Sequence, residues 1–333
     1  MIPNSRCPPT SQSETSDAEL GRTRRANFRP RQYNLGMPFY CNNNKSSVHY
    51  LIRGQGEPLL LIHGLGGSGA DWAFQLEALE KRFQVIVPDL PGSGHSTPPP
   101  IEYTIGGFAS ALWQLMDHLK IATPNIVGFS LGGAVALEMA TLRPACVPRL
   151  GLINSLATYQ PRDVRKWLET YVSATMVRLL GMPRAARLMA ARLFPEPWQR
   201  AMREHTAGAM GSVPANSYLG TGLALARWAI LDRLDRLKCR TLLIAAENDF
   251  TSLAEKRDLA AKLKAELVVV RGSRHGTPFD SVEVTNESLL ALLTDQPLPP
   301  PERWVRDTPI HTQTLSLAGS VAEEHALSPL LLD

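Results

Sequence analysis

Cysteine is scarce in this chain of 333 residues: the four, Cys7, Cys41, Cys146 and Cys239, form no CxxC pair and no dense framework. That argues against a cysteine-ligated metal site and for reduced thiols, as in the cytoplasm, over a disulfide-stapled secreted scaffold. Long apolar runs are missing too. The most apolar stretch, IVGFSLGGAVALEMATL from Ile126 to Leu142, is interrupted by Glu138 and falls short of the ~20 residues a spanning helix needs. Charge of one sign is not in excess, 35 basic residues facing 31 acidic ones for a net +4, so composition does not point to a nucleic-acid partner. The first residues, MIPNSRCPPTSQSETSDAELGRTRR, contain no apolar signal-peptide core and read as neither signal nor anchor. No solenoid-length repeat is visible.

Ordinary globular composition remains, 44% hydrophobic and 20% charged, enough for one large domain with an insertion. Residues 1–36 read as a disordered polar leader. Short β-branched and leucine-rich runs then alternate with stretches of helical period, which predicts a mostly parallel sheet covered by helices. Strands are expected at Val48–Arg53, Pro58–Ile62, Gln84–Pro88, Asn125–Phe129, Leu150–Asn154, Thr241–Ala245 and Leu267–Val270. Helices are expected at Asp71–Phe83, Thr104–Leu119, Leu131–Leu142, Leu253–Leu263 and Ser281–Leu293. The rhythm breaks between 158 and 229, where amphipathic helical pattern is cut by Pro183, Pro195, Pro197 and Pro214. The expected division is a core of 37–157 and 230–296, a helical cap of 158–229 and a Pro-rich tail of 297–333. The tail reads as disordered, the alternative being that it folds back onto the body.

The glycines at 128, 132 and 133 would weaken a helix interior by roughly 1 kcal/mol each, so the chain must change conformation near Ser130. Gly128-Phe129-Ser130-Leu131-Gly132 is a G-x-S-x-G turn between a buried strand and a helix, a nucleophile elbow. The serine needs a base, and the base a carboxylate to orient it. TLLIAAENDF places Asp249 just beyond one strand and LVVVRGSRHGTPFD places His275 beyond the next, in the chain order such elbows use. Glu247 competes as the acid, and Asp249 is preferred because it lies one step further past the strand. The Gly-rich turn in LLLIHGLGGSG offers the Leu65 N–H as an oxyanion donor, with the Leu131 N–H as its partner. His63, Asp89 and His95 read as structural, and DLPGSGHS has neither the G-x-G-x-x-G spacing nor the lysine of a nucleotide site.

The motifs HGLGG at His63, DLPGSGHS at Asp89, GFSLGG at Gly128, END at Glu247 and RH at Arg274 together resemble the α/β-hydrolase superfamily over roughly residues 46–294. The resemblance implies an α/β fold with an eight-stranded, mostly parallel sheet flanked by helices and an inserted all-helical cap. It implies a Ser130, His275, Asp249 triad, an oxyanion hole at Leu65 and Leu131, and no metal or organic cofactor. Serine at the nucleophile position disfavours dehalogenase and epoxide-hydrolase chemistry, which use Asp there. Gly276 stands where C–C bond hydrolases usually carry Trp, and GFSLG differs from the GGSWG of proline iminopeptidases. The implied activity is lipase-like carboxylic-ester hydrolysis of short to medium acyl chains on a small-molecule substrate. C–C bond or lactone hydrolysis, or a triad-bearing receptor with little turnover, are the alternatives.

Between Pro161 and His205 nine basic residues face four acidic ones, a local net of +5. Their apolar neighbours make the segment amphipathic. It reads either as a solvated face over an acyl-pocket lining or as a lid that meets anionic lipid surfaces.

Overall fold

The computed structural model describes residues 39–41, 47–99, 102–161 and 164–307. Eight strands form one sheet: β1 (Phe39–Cys41), β2 (Ser47–Arg53), β3 (Glu57–Ile62), β4 (Phe83–Pro88), β5 (Asn125–Phe129), β6 (Arg149–Ile153), β7 (Arg240–Ala246) and β8 (Glu266–Val270). Their spatial order is β1-β2-β4-β3-β5-β6-β7-β8. β1 and β2 pair antiparallel, β2 pairs antiparallel with β4, and all later pairings are parallel. The central strand β5 is buried along its whole length, as expected of a parallel strand covered on both faces.

The helices are α1 (Ala73–Leu79), α2 (Ile105–His118), α3 (Leu131–Leu142), α4 (Val164–Leu180), α5 (Met182–Leu193), α6 (Arg200–Ser212), α7 (Ala215–Arg227), α8 (Leu253–Leu263), α9 (Thr277–Asp280) and α10 (Val282–Leu293). One apolar core gathers α2, α3 and α8 against one sheet face, with Phe108, Leu112, Val135 and Leu259 buried there. A second places α1 and α10 on the other, around Leu79, Val127, Ile244 and Leu289. Glu138, the lone charge of the elbow helix, is paid for within this packing: it accepts hydrogen bonds from Trp228 Nε1 (2.9 Å) and from both Arg233 terminal nitrogens (2.7 and 3.0 Å).

Several element ends differ from expectation. The helix anticipated over Asp71–Phe83 is a 3-10 turn at Gly69–Trp72 followed by α1. Phe83 instead opens β4, where it pairs with Glu57 and is buried. β6 stops at Ile153 because Asn154 turns into left-handed backbone, φ 49°. β1 is not among the strands expected from the sequence. Cys146 is disulfide-bonded, whereas reduced thiols are expected from the sequence; Cys239 is free.

The chain leaves the sheet after β6 and returns to it before β7 at a single neck, where Thr158 and Ala229 form an antiparallel bridge. The excursion is therefore helical without disturbing the β6–β7 pairing, and α4 to α7 fill it. Residues 297–307 pack on the body: Val305 bridges Arg271, Arg303 pairs with Glu283 and Glu287 (both 2.6 Å), and Trp304 joins the second core. The leader and residues 308–333 lie outside the described residues. No described helix is long and apolar enough to cross a membrane.

Candidate active site

β5 ends at Phe129 and α3 begins at Leu131, which leaves Ser130 alone at the bend with φ 54° and ψ −114°. Backbone like this is costly for a residue with a side chain and persists only where its surroundings over-determine it. The glycines supply that room. A Cβ on Gly128 would lie 2.2 Å from the Gly132 carbonyl oxygen, and one on Gly132 would lie 2.1 Å from the Ile62 carbonyl oxygen. The second contact also shows how closely the start of α3 abuts the end of β3. The Ser130 N–H donates to Ile153 O (2.8 Å), and its carbonyl accepts from Ser155 Oγ (3.0 Å), which pins the bend from the β6 side.

His275 lies in the loop between β8 and α9. Its Nε2 is 2.9 Å from Ser130 Oγ, and its Nδ1 is 2.8 Å from Asp249 Oδ1. Both Ser130 and His275 are buried, at 8% exposure each. The Asp249 side chain is wholly removed from solvent, and His275 and Lys256 hold its carboxyl well below the usual carboxylate range despite that burial. A carboxylate that stays ionised beside Nδ1–H keeps the unprotonated nitrogen turned to the serine, the arrangement needed to receive the hydroxyl proton. Glu247, the competing acid, is turned away: it is exposed, and its Oε2 accepts from Gly272 N (2.9 Å).

Leu65 follows β3, the immediate neighbour of β5, and Leu131 is the first residue of α3. The N–H groups of a helix's first turn have no intrahelical acceptor. The loop after β3 is held from below. Leu90 N donates to His63 Nε2 (2.9 Å), so the proton of His63 sits on Nδ1 and is donated to Gly64 O (2.8 Å). Burial pushes the His63 pKa down, in keeping with a neutral ring. Asp89 accepts from Gly69 N (2.7 Å), His95 N (2.9 Å) and His49 Nδ1 (2.8 Å). His63 and Asp89 therefore tie the glycine-rich loops together, whereas the His95 ring is largely exposed.

The helical insertion roofs this ground. A Cβ on Gly66 would lie 3.1 Å from the side chains of Met210 and Tyr218, so the cap packs closely on the loop after β3, and one on Gly222 would touch Leu65 at 3.9 Å. A Cβ on Gly276 would lie 2.5 Å from the ring of Phe194, the residue that ends α5, so the glycine beside His275 is what lets the cap sit down. Phe129 and Phe250 flank the His275 ring at centroid distances of 5.3 and 4.2 Å. On the outer side Arg178, Arg184, Arg187 and Arg192 are exposed, as are Leu179 and Leu188.

Two residues that the sequence reading passed over complete the site. Asn154, fully buried, accepts from Ala246 N (2.7 Å) and Lys256 Nζ (3.2 Å) and donates to His275 O (2.8 Å) and Thr277 Oγ1 (2.7 Å), thereby joining the ends of β6 and β7 to the histidine loop. Lys256 bonds Asp249 Oδ2 from the first turns of α8. Lys256 had a legible signal, since it falls on the apolar stripe of Leu253, Leu259, Ala260 and Leu263 where a charge has no reason to be. Asn154, at a strand end, had none.

The fold and the site geometry bring a serine on a strained strand–helix bend together with a histidine and a buried carboxylate at the carboxyl ends of a mostly parallel sheet. The chain belongs to the alpha/beta hydrolase fold family, whose model matches residues 57–282, and it is a hydrolase. It is 31% identical over 264 residues to a Stutzerimonas stutzeri protein provisionally named carbamate hydrolase RutD, covering 75% of this chain and 97% of that one. The enol-lactonase of Burkholderia xenovorans LB400 superposes with a TM-score of 0.71 at 25% identity, over 77% of this chain and all of the other (100%). A thermophilic esterase from Thermogutta terrifontis gives 0.69 at 25% identity, over 78% and 97%.

Proposed function

We propose that the protein hydrolyses carboxylic esters of short to medium acyl chain through an acyl-enzyme on Ser130. The observation that carries this reading is the unbroken hydrogen-bonded line from Ser130 Oγ through His275 to Asp249, at 2.9 and 2.8 Å. Ser130 Oγ attacks the ester carbonyl carbon while its proton passes to His275 Nε2. The tetrahedral oxyanion is held by the N–H groups of Leu65 and Leu131. As the C–O bond breaks, the imidazolium returns that proton to the leaving alcohol, and Asp249 stabilises the imidazolium meanwhile. Water then gives its proton to His275 and attacks the acyl-serine, and the acid leaves as Ser130 is reprotonated.

The similarity to a lactonase, an esterase and a named carbamate hydrolase supports an acyl carbonyl bearing a heteroatom leaving group. Lactone hydrolysis is the second reading, favoured by the enol-lactonase superposition, and it uses the same steps with the alcohol retained in the product. The size limit rests on the cap, whose Met210 and Tyr218 pack against Gly66 in the loop after β3. Each methylene that enters an apolar slot should contribute up to about 0.8 kcal/mol until the slot is full.

A fluorophosphonate probe should label the wild type, and Ser130→Ala should abolish labelling. Values of kcat/KM for p-nitrophenyl esters from acetate to palmitate should rise and then fall. Labelling that survives in Ser130→Ala removes the nucleophile assignment. A flat acyl series removes the slot, and labelling without turnover on any ester or lactone would favour a receptor.

A further inference from the structure

Lys256 is an ammonium with no access to water, its side chain 0% exposed, seated against the equally buried Asp249. Its Nζ donates to Asp249 Oδ2 and to Asn154 Oδ1 (3.2 Å). A dry ammonium is strongly disfavoured unless it is paired and hydrogen-bonded, and burial does push the Lys256 pKa down while Asp249 pushes it back up. Orienting the carboxylate does not by itself call for so costly a group. Thr251 already donates to Asp249 twice, from its N–H (3.2 Å) to Oδ1 and from its Oγ1 (2.7 Å) to Oδ2.

What Lys256 adds is charge. Asp249 presents Oδ1 to His275 and Oδ2 to Lys256, so a fixed positive charge stands one carboxylate away from the imidazole. A lone buried carboxylate favours the imidazolium both in the transition state and in the resting enzyme, where a protonated histidine is useless as a base. We propose that Lys256 is a positioning residue for the acid–base pair, fixing Asp249 with Oδ1 toward His275 and offsetting part of its charge, so that His275 remains an unprotonated base to lower pH. This rests on the reading of His275 as the base.

Among the described residues, the other charged or titratable groups on the elements around His275 are Arg274 beside it, Asp280 on α9, Tyr159 behind the serine and Glu247 just beyond β7. Burial pushes the Asp280 carboxyl up to about 6. It is unchanged in every variant below, and the difference from wild type isolates Lys256.

The experiment is the pH profile of kcat/KM for wild type, Lys256→Met, Lys256→Gln and Lys256→Arg on one p-nitrophenyl ester. Rates are expressed per active site titrated with fluorophosphonate, so that misfolded protein does not count. In the Met and Gln variants the acidic limb should move up by about one pH unit, so that activity on the acid side falls roughly tenfold. Arg keeps the charge and should keep the limb near its wild-type position. Unmoved limbs in Met and Gln overturn the proposal, as does an Arg limb displaced as far as Met's. If neither Met nor Gln yields titratable enzyme, the ammonium's role is structural and the proposal fails as well. A wild type that neither labels nor turns over would instead defeat the hydrolase site reading, a separate outcome.

Discussion

Replacing Gly276 by alanine tests whether the cap is seated through the residue next to the catalytic histidine. The φ of Gly276, −78°, is one that L-residues adopt, so the substitution does not demand left-handed backbone. The main effect is that of the new methyl, which would lie 2.5 Å from Cε1 and Cζ of Phe194. Phe194 cannot yield easily: it is 1% exposed and packs edge-on against Phe279 at a centroid distance of 5.9 Å. Overpacking of this kind costs about 1–3 kcal/mol. In a domain of this size each kcal/mol lowers Tm by roughly 2–4 °C. Because Phe194 ends α5, the displaced ring carries the cap with it and should reduce kcat/KM along with Tm. Thermal unfolding and ester turnover are measured for Gly276→Ala, Phe194→Leu and the double variant. Leucine lacks the two clashing atoms, so the double variant should be more stable than the sum of the single effects by at least about 1 kcal/mol. An unperturbed Gly276→Ala, or strictly additive effects, would refute this account of how the cap is docked.

Asp249→Asn should lower kcat by about 10⁴ while Glu247→Gln stays close to wild type, and the opposite result in an ester assay would transfer the acid role to Glu247. Asp71, beneath the oxyanion loop, has its carboxyl pushed up to about 7, chiefly by burial. Its folded pKa lies above the unfolded one, so the folded state holds the extra proton: that stabilisation is complete below about pH 4 and lost as pH rises through about 7. Asp71→Asn should therefore flatten the decline of Tm between pH 5 and pH 8, and an unchanged slope in calorimetry would contradict the assignment.

The alternation of short apolar runs with helical period predicts the parallel sheet because a strand buried on both faces favours apolar side chains, a constraint visible at Ile126, Val127 and Phe129 of β5. The elbow was equally legible. Gly128 and Gly132 are required by contacts within a few residues of chain and one neighbouring strand, so their spacing around Ser130 carries the geometry. Chain order and strand ends likewise brought forward Asp249 and His275, although only the fold turned Glu247 outward to Gly272. The local period around Phe83 fits a helix; pairing with Glu57 across the sheet places it in β4 instead. Asn154 and Lys256 mark the boundary most clearly. Lys256 lies seven residues from the acid it neutralises, yet Asn154 lies far from both partners in sequence, and nothing local distinguishes an asparagine at a strand end from one that ties two loops together. Residue types, their order and their periodicity reside in the chain itself. A buried charge finds its counter-charge, and a glycine the ring that fills its place, only when packing brings distant segments into contact, because hydrogen bonds and repulsions act over a few ångströms of space whatever the separation along the chain.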